Sequence, residues 1–278
     1  MSLYISSINS GSNGNCYYVG NQQTAVLIDV GISCREVEKR FARMGLSMKI
    51  VKAIFISHEH SDHIKGLTVL SSKYRIPVYV STGTLRNLPC SVDAELIRIF
   101  KGSENIKIDE ITITPFYKIH DAYDPHSFML SYNKVNVGVF TDLGRVCKNL
   151  TKYFKKCHAA FLETNYDETM LDQGRYPYFL KNRIRGGSGH LSNREALDLF
   201  INHRPEFLSH LLLSHLSKDN NCVELVEELF NKHTTNTQIT VAGRYQETSV
   251  YLIEPAGMIK KAQLVIKQKP AEAQLSLF

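Results

Sequence analysis

One short segment concentrates side chains that bind metal ions. Its four potential ligands lie within six consecutive positions, at His58, His60, Asp62 and His63. Imidazole nitrogens together with a carboxylate suit zinc or manganese. The apolar run Val51 to Ile56 directly before them predicts a buried strand, and Ile64 to Tyr74 directly after them predicts a helix. Because a strand end followed by a helix start can direct alternate side chains at neighbouring ions, the pattern predicts a metal centre. A chance polar loop is the alternative.

The rest of the chain must supply the scaffold that positions this segment. Over the 278 residues, strand-like and helix-like runs are mixed without an internal repeat or a low-complexity linker, which indicates an α/β fold of layered sheets and helices. We expect one catalytic domain over residues 1–260 and a C-terminal tail over residues 261–278, where the chain becomes basic and polar. The run Ile106 to Thr114 predicts one continuous strand.

Composition disfavours several classes of protein. With 43% hydrophobic and 22% charged residues, and no run approaching the roughly 18 apolar residues of a membrane span, the sequence predicts a soluble protein with no membrane partner. The N-terminus shows no export signal, so we expect a cytoplasmic location. The six cysteines form no CxxC pair, which disfavours a structural zinc finger. The net charge of +6 weakly favours an anionic partner.

The four-ligand segment resembles the metallo-β-lactamase superfamily, whose HxHxDH signature it matches in full. The resemblance implies a four-layer αβ/βα sandwich and a pair of divalent metal ions. It also implies that the first two histidines bind one ion, whereas the aspartate and the last histidine bind the other. Asp29, after the apolar run Ala25 to Ile28, matches the family's carboxylate that orients the ligand loop. On its own, Asp29 is equally compatible with a simple turn.

Three further residues complete the ligand set that the resemblance implies. His120 follows the run Ile111 to Ile119 and fits the family's third motif better than its rival His126, which follows a proline. Asp142 supplies the carboxylate that bridges both ions, and His215 supplies the histidine after the last core strand. We therefore expect two sites of mixed nitrogen and oxygen ligands for Zn or Mn ions, bridged by a water or hydroxide.

Two ions at such a centre favour phosphodiester cleavage, since they can hold attacking and phosphoryl oxygens in line. We expect Asp62 to receive the proton of the attacking water as well as to bind metal. The leaving oxygen needs an acid, and His190 is the candidate. It resembles an additional histidine of the tRNA 3′-processing nucleases of this superfamily, in which an upstream glutamate pairs with it, and Glu163 has the matching place. Alternatively, His190 is a helix-entry residue and Glu163 a buried structural partner.

A narrower resemblance extends over nearly the full chain, to the YycJ proteins of bacteria, which are also called WalJ. Its matching segments are 10–15, 57–66, 120–122, 141–144, 189–193 and 215–221. This resemblance implies a DNA exonuclease that runs from 5′ to 3′, with a link to mismatch repair. The interval between Asp142 and His215 is too short for the domain-sized β-CASP insert of the RNase J relatives. The alternatives are an RNA-processing nuclease of the tRNase Z type, a small-molecule ester, thioester or lactone hydrolase, and a non-enzymatic scaffold that binds DNA.

Polar residues of two segments are candidates for binding the phosphates of a nucleic acid. They are Ser10, Ser12, Asn13, Asn15, Ser217, Asn220 and Asn221. A glycine-rich turn such as the first segment can present backbone N–H groups to a phosphate. The alternatives are a tight turn between strands for the first segment and a helix cap for the second.

The last five residues resemble the short peptide by which bacterial replication and repair proteins bind the DNA sliding clamp. Its anchors here are Gln274, Leu275, Leu277 and Phe278. The glutamine would form hydrogen bonds, and the Leu and Phe side chains would fill an apolar pocket of the clamp. Such binding would make DNA the substrate. Alternatively, the apolar tail packs on the protein's own surface.

Overall fold

The computed structural model describes residues 2–234 and 236–255. In these residues, two seven-stranded mixed sheets pack face to face. The strands of the first sheet are β1 (Leu3–Asn9), β2 (Cys16–Gly20), β3 (Ala25–Ile28), β4 (Val51–Phe55), β5 (Val78–Ser81), β6 (Ile97–Phe100) and β14 (Tyr251–Ile253). Those of the second sheet are β7 (Ile106–Ile108), β8 (Ile111–Tyr117), β9 (His126–Tyr132), β10 (Val135–Phe140), β11 (Ala159–Glu163), β12 (His210–Ser214) and β13 (Gln238–Val241). The first sheet has the order β14-β1-β2-β3-β4-β5-β6, and the second has the order β13-β12-β11-β10-β9-β8-β7.

Helices cover the outer faces of both sheets. The helices of the described residues are α1 (Cys34–Arg43), α2 (Ser61–Ile64), α3 (Leu67–Tyr74), α4 (Thr82–Arg86), α5 (Lys148–Phe154), α6 (Glu168–Gln173), α7 (Tyr178–Arg185), α8 (Asn193–His203) and α9 (Val223–Asn231). α1 and α3 bury Phe41 and Leu70 against the first sheet. α5, α8 and α9 bury Leu150, Phe200 and Phe230 against the second sheet. The layers run helix, sheet, sheet, helix, so the predicted four-layer αβ/βα sandwich is confirmed.

Aromatic side chains bridge the two sheets. The rings of Tyr17 in β2 and Phe161 in β11 lie 5.0 Å apart between centroids, and those of Phe55 in β4 and Phe128 in β9 lie 5.7 Å apart. Tilted and edge-on pairs of this kind bury much apolar area and stabilise one relative orientation of the rings. They therefore hold the sheets so that strand ends from both meet at one edge of the sandwich.

Two predicted elements are each interrupted. The single strand predicted from Ile106 to Thr114 was wrong, because β7 and β8 form an antiparallel hairpin that turns at Asp109, whose φ is 50°. The turn lacks the glycine or asparagine that would have signalled it. The helix predicted from Ile64 to Tyr74 begins three residues later, as α3 at Leu67, because Ile64 ends the short α2 and the chain breaks at Gly66, whose N–H donates to Val30 O over 2.8 Å. A Cβ on Gly66 would lie 2.0 Å from Ile32 O, so a tertiary contact sets this break.

None of the helices in residues 2–234 and 236–255 has the length and apolarity needed to span a bilayer. The predicted domain boundary at residue 260 lies outside the described residues, as do the four anchors of the predicted clamp peptide, Gln274, Leu275, Leu277 and Phe278. The boundary and the clamp peptide therefore stay predictions.

Candidate metal centre

Three chemically important residues follow strand ends in an uncommon backbone conformation. Asp29 comes after β3, Asp142 shortly after β10 and His215 directly after β12, with φ values of 62°, 54° and 60°. The left-handed region costs a non-glycine residue about 1 kcal/mol or more. β10, β11 and β12 are parallel neighbours, so their carboxyl ends lie at one edge of the second sheet. The parallel strands β3 and β4 likewise end at one edge of the first sheet. The strained backbone conformation of these residues thus directs their side chains towards one point.

Asp29 fixes the loop that carries the HxHxDH signature. Its carboxylate is fully buried and accepts hydrogen bonds from the backbone N–H and the hydroxyl of Ser57, over 2.8 and 2.7 Å. It also accepts from Nδ1 of His63 over 2.7 Å. That bond orients the ring, so Nε2 of His63 faces the centre. Asp29 therefore has the contacts expected of a carboxylate that orients a ligand loop.

Three histidines form the first ligand group. Nε2 of His58 lies 3.1 Å from Nδ1 of His60, which lies 3.4 Å from Nε2 of His120. The opposite nitrogens are occupied, since Nδ1 of His58 bonds the Ser57 hydroxyl over 2.8 Å and Nδ1 of His120 donates to Gly189 O over 2.9 Å. His126, the rival of His120, instead bonds the backbone of Asp124 and packs against Phe100, outside this group.

Asp62, His63 and His215 form the second ligand group. Oδ2 of Asp62 lies 3.6 Å from Nε2 of His63 and 3.5 Å from Nε2 of His215. Asp142 lies between the two groups: its carboxylate oxygens are 3.2 Å from Nε2 of His63, 3.5 Å from Nε2 of His215 and 3.9 Å from Nε2 of His120. All seven predicted ligands thus converge, with Asp142 in contact with both groups.

The donor atoms fit divalent cations. Oδ2 of Asp142 and Nε2 of His215 are buried and form no hydrogen bond within the described residues. Buried polar atoms nearly always have a partner, so each unpaired atom requires an explanation. Imidazole nitrogens and carboxylate oxygens are the ligand types of Zn and Mn sites, and metal coordination would satisfy both atoms. The residues present therefore fit divalent metal ions.

The charges of the second ligand group strongly shift the pKa values of its members. Burial raises the pKa of Asp62, but the neighbouring His63 and His215 outweigh it and lower that pKa to about 2. Burial lowers the pKa of His215, but Asp142, Asp62 and Glu163 outweigh it and raise that pKa to about 10. The pKa of His63 is likewise raised well above its ordinary value by the surrounding carboxylates. These two imidazoles must release protons before they can bind metal.

In the first ligand group, by contrast, the pKa values of the histidines are lowered. Burial lowers the pKa of His58 well below its ordinary value, and the nearby His63 adds to the effect. Burial lowers the pKa of His120 to about 3, although Asp142 opposes the shift. The pKa of His60 is lowered for the same reason. These imidazoles are neutral at physiological pH and need lose no proton to coordinate a cation.

Glu163 joins His190 to the cluster. Its carboxylate is fully buried at the end of β11, and one oxygen accepts from Nδ1 of His190 over 2.8 Å and from Nδ1 of His215 over 3.1 Å. Its other oxygen accepts from the backbone N–H of Leu143. The ring of His190 is partly exposed and lines the cleft above the ligands. The predicted pair of Glu163 and His190 is thus in direct contact.

The turn at residues 10–15 supports the centre from below. Ser10 and Asn15 are buried: the Ser10 hydroxyl accepts from the His215 N–H over 2.7 Å, and the Asn15 amide lies 3.2 Å from Asp62 Oδ2. Ser12 lines the cleft, and both Ser12 and Asn13 contact the Arg244 guanidinium, over 3.3 and 3.1 Å. Of the four, Ser12 and Asn13 have the exposure that a phosphate contact needs.

The second polar segment lies farther along the same edge. The Ser217 hydroxyl accepts from the Asn220 N–H over 3.3 Å, and Asn220 is itself buried. The Asn221 amide donates to Thr164 O and to Oδ1 of Asn193, each over 2.9 Å, and so ties the β11 loop to α8. Side-chain capping of α9 by these residues is absent in the described structure, because its N-cap is Cys222.

Two charged residues of the site have no distinct signal in the sequence. Lys118 is 1% exposed beneath the centre, and its Nζ donates to Thr141 O over 2.7 Å. Burial lowers the pKa of Lys118, while Asp142 and Asp29 oppose the shift. Arg244 donates to Leu216 O over 2.6 Å from a position 28 residues away. Both contacts depend on long-range folding, so neither spacing nor periodicity could reveal them.

Comparison with known proteins agrees with this geometry. The family model described as the beta-lactamase superfamily domain matches residues 24–215. Exodeoxyribonuclease YycJ of Bacillus anthracis is 35% identical over 228 residues, which cover 81% of this chain and 86% of that protein. Exodeoxyribonuclease WalJ of Streptococcus pneumoniae is 31% identical over 221 residues, covering 78% of this chain and 82% of that protein.

Among solved structures, the metallo-β-lactamase fold protein YhfI of Bacillus subtilis superposes with a TM-score of 0.69 at 14% identity, covering 91% of this chain and all of that one. That likeness concerns the fold. The matched superfamily residues include all seven clustered ligands, and the two exodeoxyribonucleases align over most of the chain. The chain therefore belongs to the YycJ/WalJ family of the metallo-β-lactamase superfamily and is a metal-dependent hydrolase.

Proposed function

We propose that the protein is a two-metal phosphodiesterase that degrades DNA from the 5′ end, as an exonuclease of mismatch repair. The observation that carries the proposal is the position of Asp142, within 3.2 to 3.9 Å of histidines from both ligand groups. A carboxylate shared in this way suits a pair of ions rather than one. The names of the relatives from Bacillus anthracis and Streptococcus pneumoniae support DNA as the substrate.

His58, His60 and His120 would hold one ion, and Asp62, His63 and His215 would hold the other, with Asp142 shared. The ions would be zinc or manganese, which both accept such ligands. When bound, two divalent cations supply Lewis acidity to phosphoryl oxygens and make water a better nucleophile at neutral pH. Asp62 is 21% exposed at the cleft, so its carboxylate is available to receive a proton from the attacking water.

His190 would donate the proton that the leaving oxygen requires. Because Nδ1 donates to Glu163, Nε2 is the nitrogen left for the substrate. The hydrogen bond to the buried carboxylate of Glu163 fixes the orientation of the imidazole, much as a carboxylate does for other catalytic histidines. The same oxygen orients His215, so Glu163 couples the proton donor to the second ligand group.

The cleft provides places for phosphates as well as for chemistry. It has a volume of about 280 Å³, and Ser12 and Arg183 lie at its walls beside the ligands. A hydroxyl and a guanidinium are suitable donors for the non-scissile phosphates of a strand. Asn13 is placed beside Ser12 and would extend the same contact.

The test compares 5′-labelled duplex DNA with RNA of matched sequence, using wild type and Asp142→Asn, each supplied with manganese or zinc. We expect wild type to release mononucleotides from the 5′ end of DNA and Asp142→Asn to be inactive. Cleavage of precursor tRNA in preference to DNA would support the tRNase Z alternative. Turnover of esters or thioesters without cleavage of either nucleic acid would support a small-molecule hydrolase.

We also propose that Gln274, Leu275, Leu277 and Phe278 bind the DNA sliding clamp. Support comes from the sequence pattern of the last five residues. We expect a chain lacking residues 274–278 to lose clamp binding in a pull-down while retaining its hydrolysis of short DNA. Equal clamp binding by the truncated and complete chains would contradict the proposal.

A further inference from the structure

α7 presents two exposed aromatic side chains beside the cleft. Tyr178 and Phe179 are each 73% exposed at its first turn. The opposite face packs Leu180 and Ile184 onto Tyr166 and Leu171, in a small apolar cluster of their own. This packing orients the helix relative to the cleft.

The two aromatic residues point in different directions. Residues four apart lie on the same face of an α-helix, whereas neighbours are rotated by about 100°. Phe179 is four residues before Arg183, which lines the cleft, so Phe179 shares the cleft-facing side of α7. Tyr178 instead shares a side with Asn182, away from Arg183. The chain thus offers two equally exposed rings of which one adjoins the cleft.

Arg183 is held in place with its phosphate-binding groups available. Its Nε donates to Asp121 Oδ2 over 2.6 Å, and the side chain is 60% exposed. Its two Nη groups form no hydrogen bond within the described residues. Arg185 of the same helix is paired with Asp172, so it is the Nη groups of Arg183 that remain as donors at this rim. They favour an anionic ligand there.

A third ring lies near the same ion pair. Tyr123 is 73% exposed and comes two residues after Asp121, and its N–H donates to Glu59 Oε1 over 2.9 Å. Glu59 stands between two of the metal-ligating histidines. The contact between Asp121 and Arg183 therefore has an exposed aromatic side chain on each element that it joins.

We propose that Phe179 and Tyr123, with Arg183 beside them, form a platform that stacks unpaired bases of the strand being degraded. Aromatic rings stack on every base, and arginine binds the intervening phosphate. Phe179 lies about 6 Å from Arg183 along the helix axis, by the rise of 1.5 Å per residue. The proposal rests on the proposed function, because it assigns the bound polymer to that cleft. It makes single-stranded ends the preferred substrate.

The test measures binding rather than hydrolysis. The full chain carrying His190→Ala and loaded with manganese is titrated with a single-stranded oligonucleotide that contains 2-aminopurine, whose fluorescence falls when it stacks on an aromatic ring. Phe179→Ala is expected to weaken binding about fivefold to hundredfold and to relieve the quenching. Phe179→Leu is expected to show the same loss, and Phe179→Trp to retain both signals.

Tyr178→Ala is the matched control, and its binding is expected to equal that of the parent. Because both side chains are largely exposed, thermal unfolding of the two alanine variants checks that the fold is unchanged. Equal binding by Phe179→Ala and Tyr178→Ala would overturn the platform, as would full retention by Phe179→Leu. Ring-dependent binding without DNA hydrolysis by the wild type would contradict the proposed function alone, so the two failures are distinguishable.

Discussion

At the residue scale, one buried oxygen of Glu163 serves two histidines with different tasks. It orients His215, a member of the second ligand group, and His190, the proposed proton donor. Charge-assisted hydrogen bonds of this kind are stronger than neutral ones and fix the orientation of both rings. His190 also lies close enough to Asp142, Glu163 and His215 for their donor atoms to hold one cation, so its role is tested by measuring metal content together with hydrolysis.

We predict that His190→Ala lowers the rate of DNA hydrolysis about 10²- to 10⁴-fold, as loss of a general acid does. The loss should be much smaller with thymidine 5′-p-nitrophenyl phosphate, because p-nitrophenolate leaves without being protonated. Steady-state rates on both substrates measure this. His233→Ala, at an exposed position, is the control. Equal losses on both substrates would show that His190 is not the proton donor.

Metal affinity should depend on pH differently at the two ligand groups. His63 and His215 have raised pKa values, the latter about 10, so metal binding at the second group releases protons and must weaken as pH falls. His120, with a pKa of about 3, carries no proton to release at neutral pH. As the pH falls from about 8 to about 6, the metal affinity of the second group should decrease by up to about tenfold per pH unit for each proton that binding releases.

Calorimetric zinc titrations of the metal-free protein at several pH values measure this difference. His215→Ala leaves the first group to be titrated by itself, and His60→Ala leaves the second. We predict a steep pH dependence of zinc affinity for His60→Ala and a shallow one for His215→Ala. The same slope in both variants would contradict the assignment of protons to the second group.

At the element scale, the site depends on close contact between the loop after β3 and the signature loop after β4. The Gly31 N–H donates to Asn15 O, and the Asn15 N–H donates to Asp62 O, each over 2.7 Å. A Cβ on Gly31 would lie 1.7 Å from Asp62 O, where no atom fits. Three backbone segments are therefore packed together directly behind the ligand Asp62.

We predict that Gly31→Ala displaces the signature loop and lowers the bound metal below two ions per chain, with loss of hydrolysis. Metal content by inductively coupled plasma mass spectrometry measures it. Gly45→Ala is the control, because Gly45 has a φ of 69° but nothing near its Cβ. The control should cost about 1 kcal/mol of stability and leave metal content unchanged. Full metal content in Gly31→Ala would show that the loop tolerates the shift.

Buried strands follow most closely from the sequence pattern. β3 begins and ends with the apolar run Ala25 to Ile28, and β4 begins at Val51 and ends one residue before the predicted Ile56. No pattern predicted α6 and α7, which are short, largely exposed and stabilised by a small cluster around Tyr166 and Leu171. Helices of this length receive their stability from tertiary contacts rather than from a periodic pattern. The residues proposed to stack bases lie in this segment, where the pattern is weakest.

At the scale of the whole molecule, the end of the described chain supports its beginning. β14 pairs antiparallel with β1, and the Ser10 N–H donates to Gly243 O over 3.2 Å. Arg40 in α1 is buried and donates to Tyr245 O over 3.2 Å. The ligand set could be expected from the sequence through the resemblance of its motifs to the metallo-β-lactamase superfamily, because those motifs are local. The contacts between the end of the described chain and its beginning could not be predicted, because they join residues more than 200 positions apart.

Because the ligands come from both sheets, metal should stabilise the entire fold. We predict that chelation lowers the midpoint of thermal unfolding by at least about 5 °C, since each ion that binds only the folded state at about 100 times its Kd contributes about 2.7 kcal/mol. Differential scanning calorimetry with and without chelator measures the shift. Asp142→Asn should show a smaller shift. An unchanged midpoint on chelation would indicate that metal does not link the sheets.

The number of metal ions that hydrolysis requires can be measured by titrating metal-free protein with manganese and following the rate of mononucleotide release from 5′-labelled DNA. We predict almost no hydrolysis after one equivalent and full activity near the second, because both ligand groups contact Asp142 and would act on one phosphate. Full activity after a single equivalent, or intact DNA after two, would contradict a two-metal DNA phosphodiesterase.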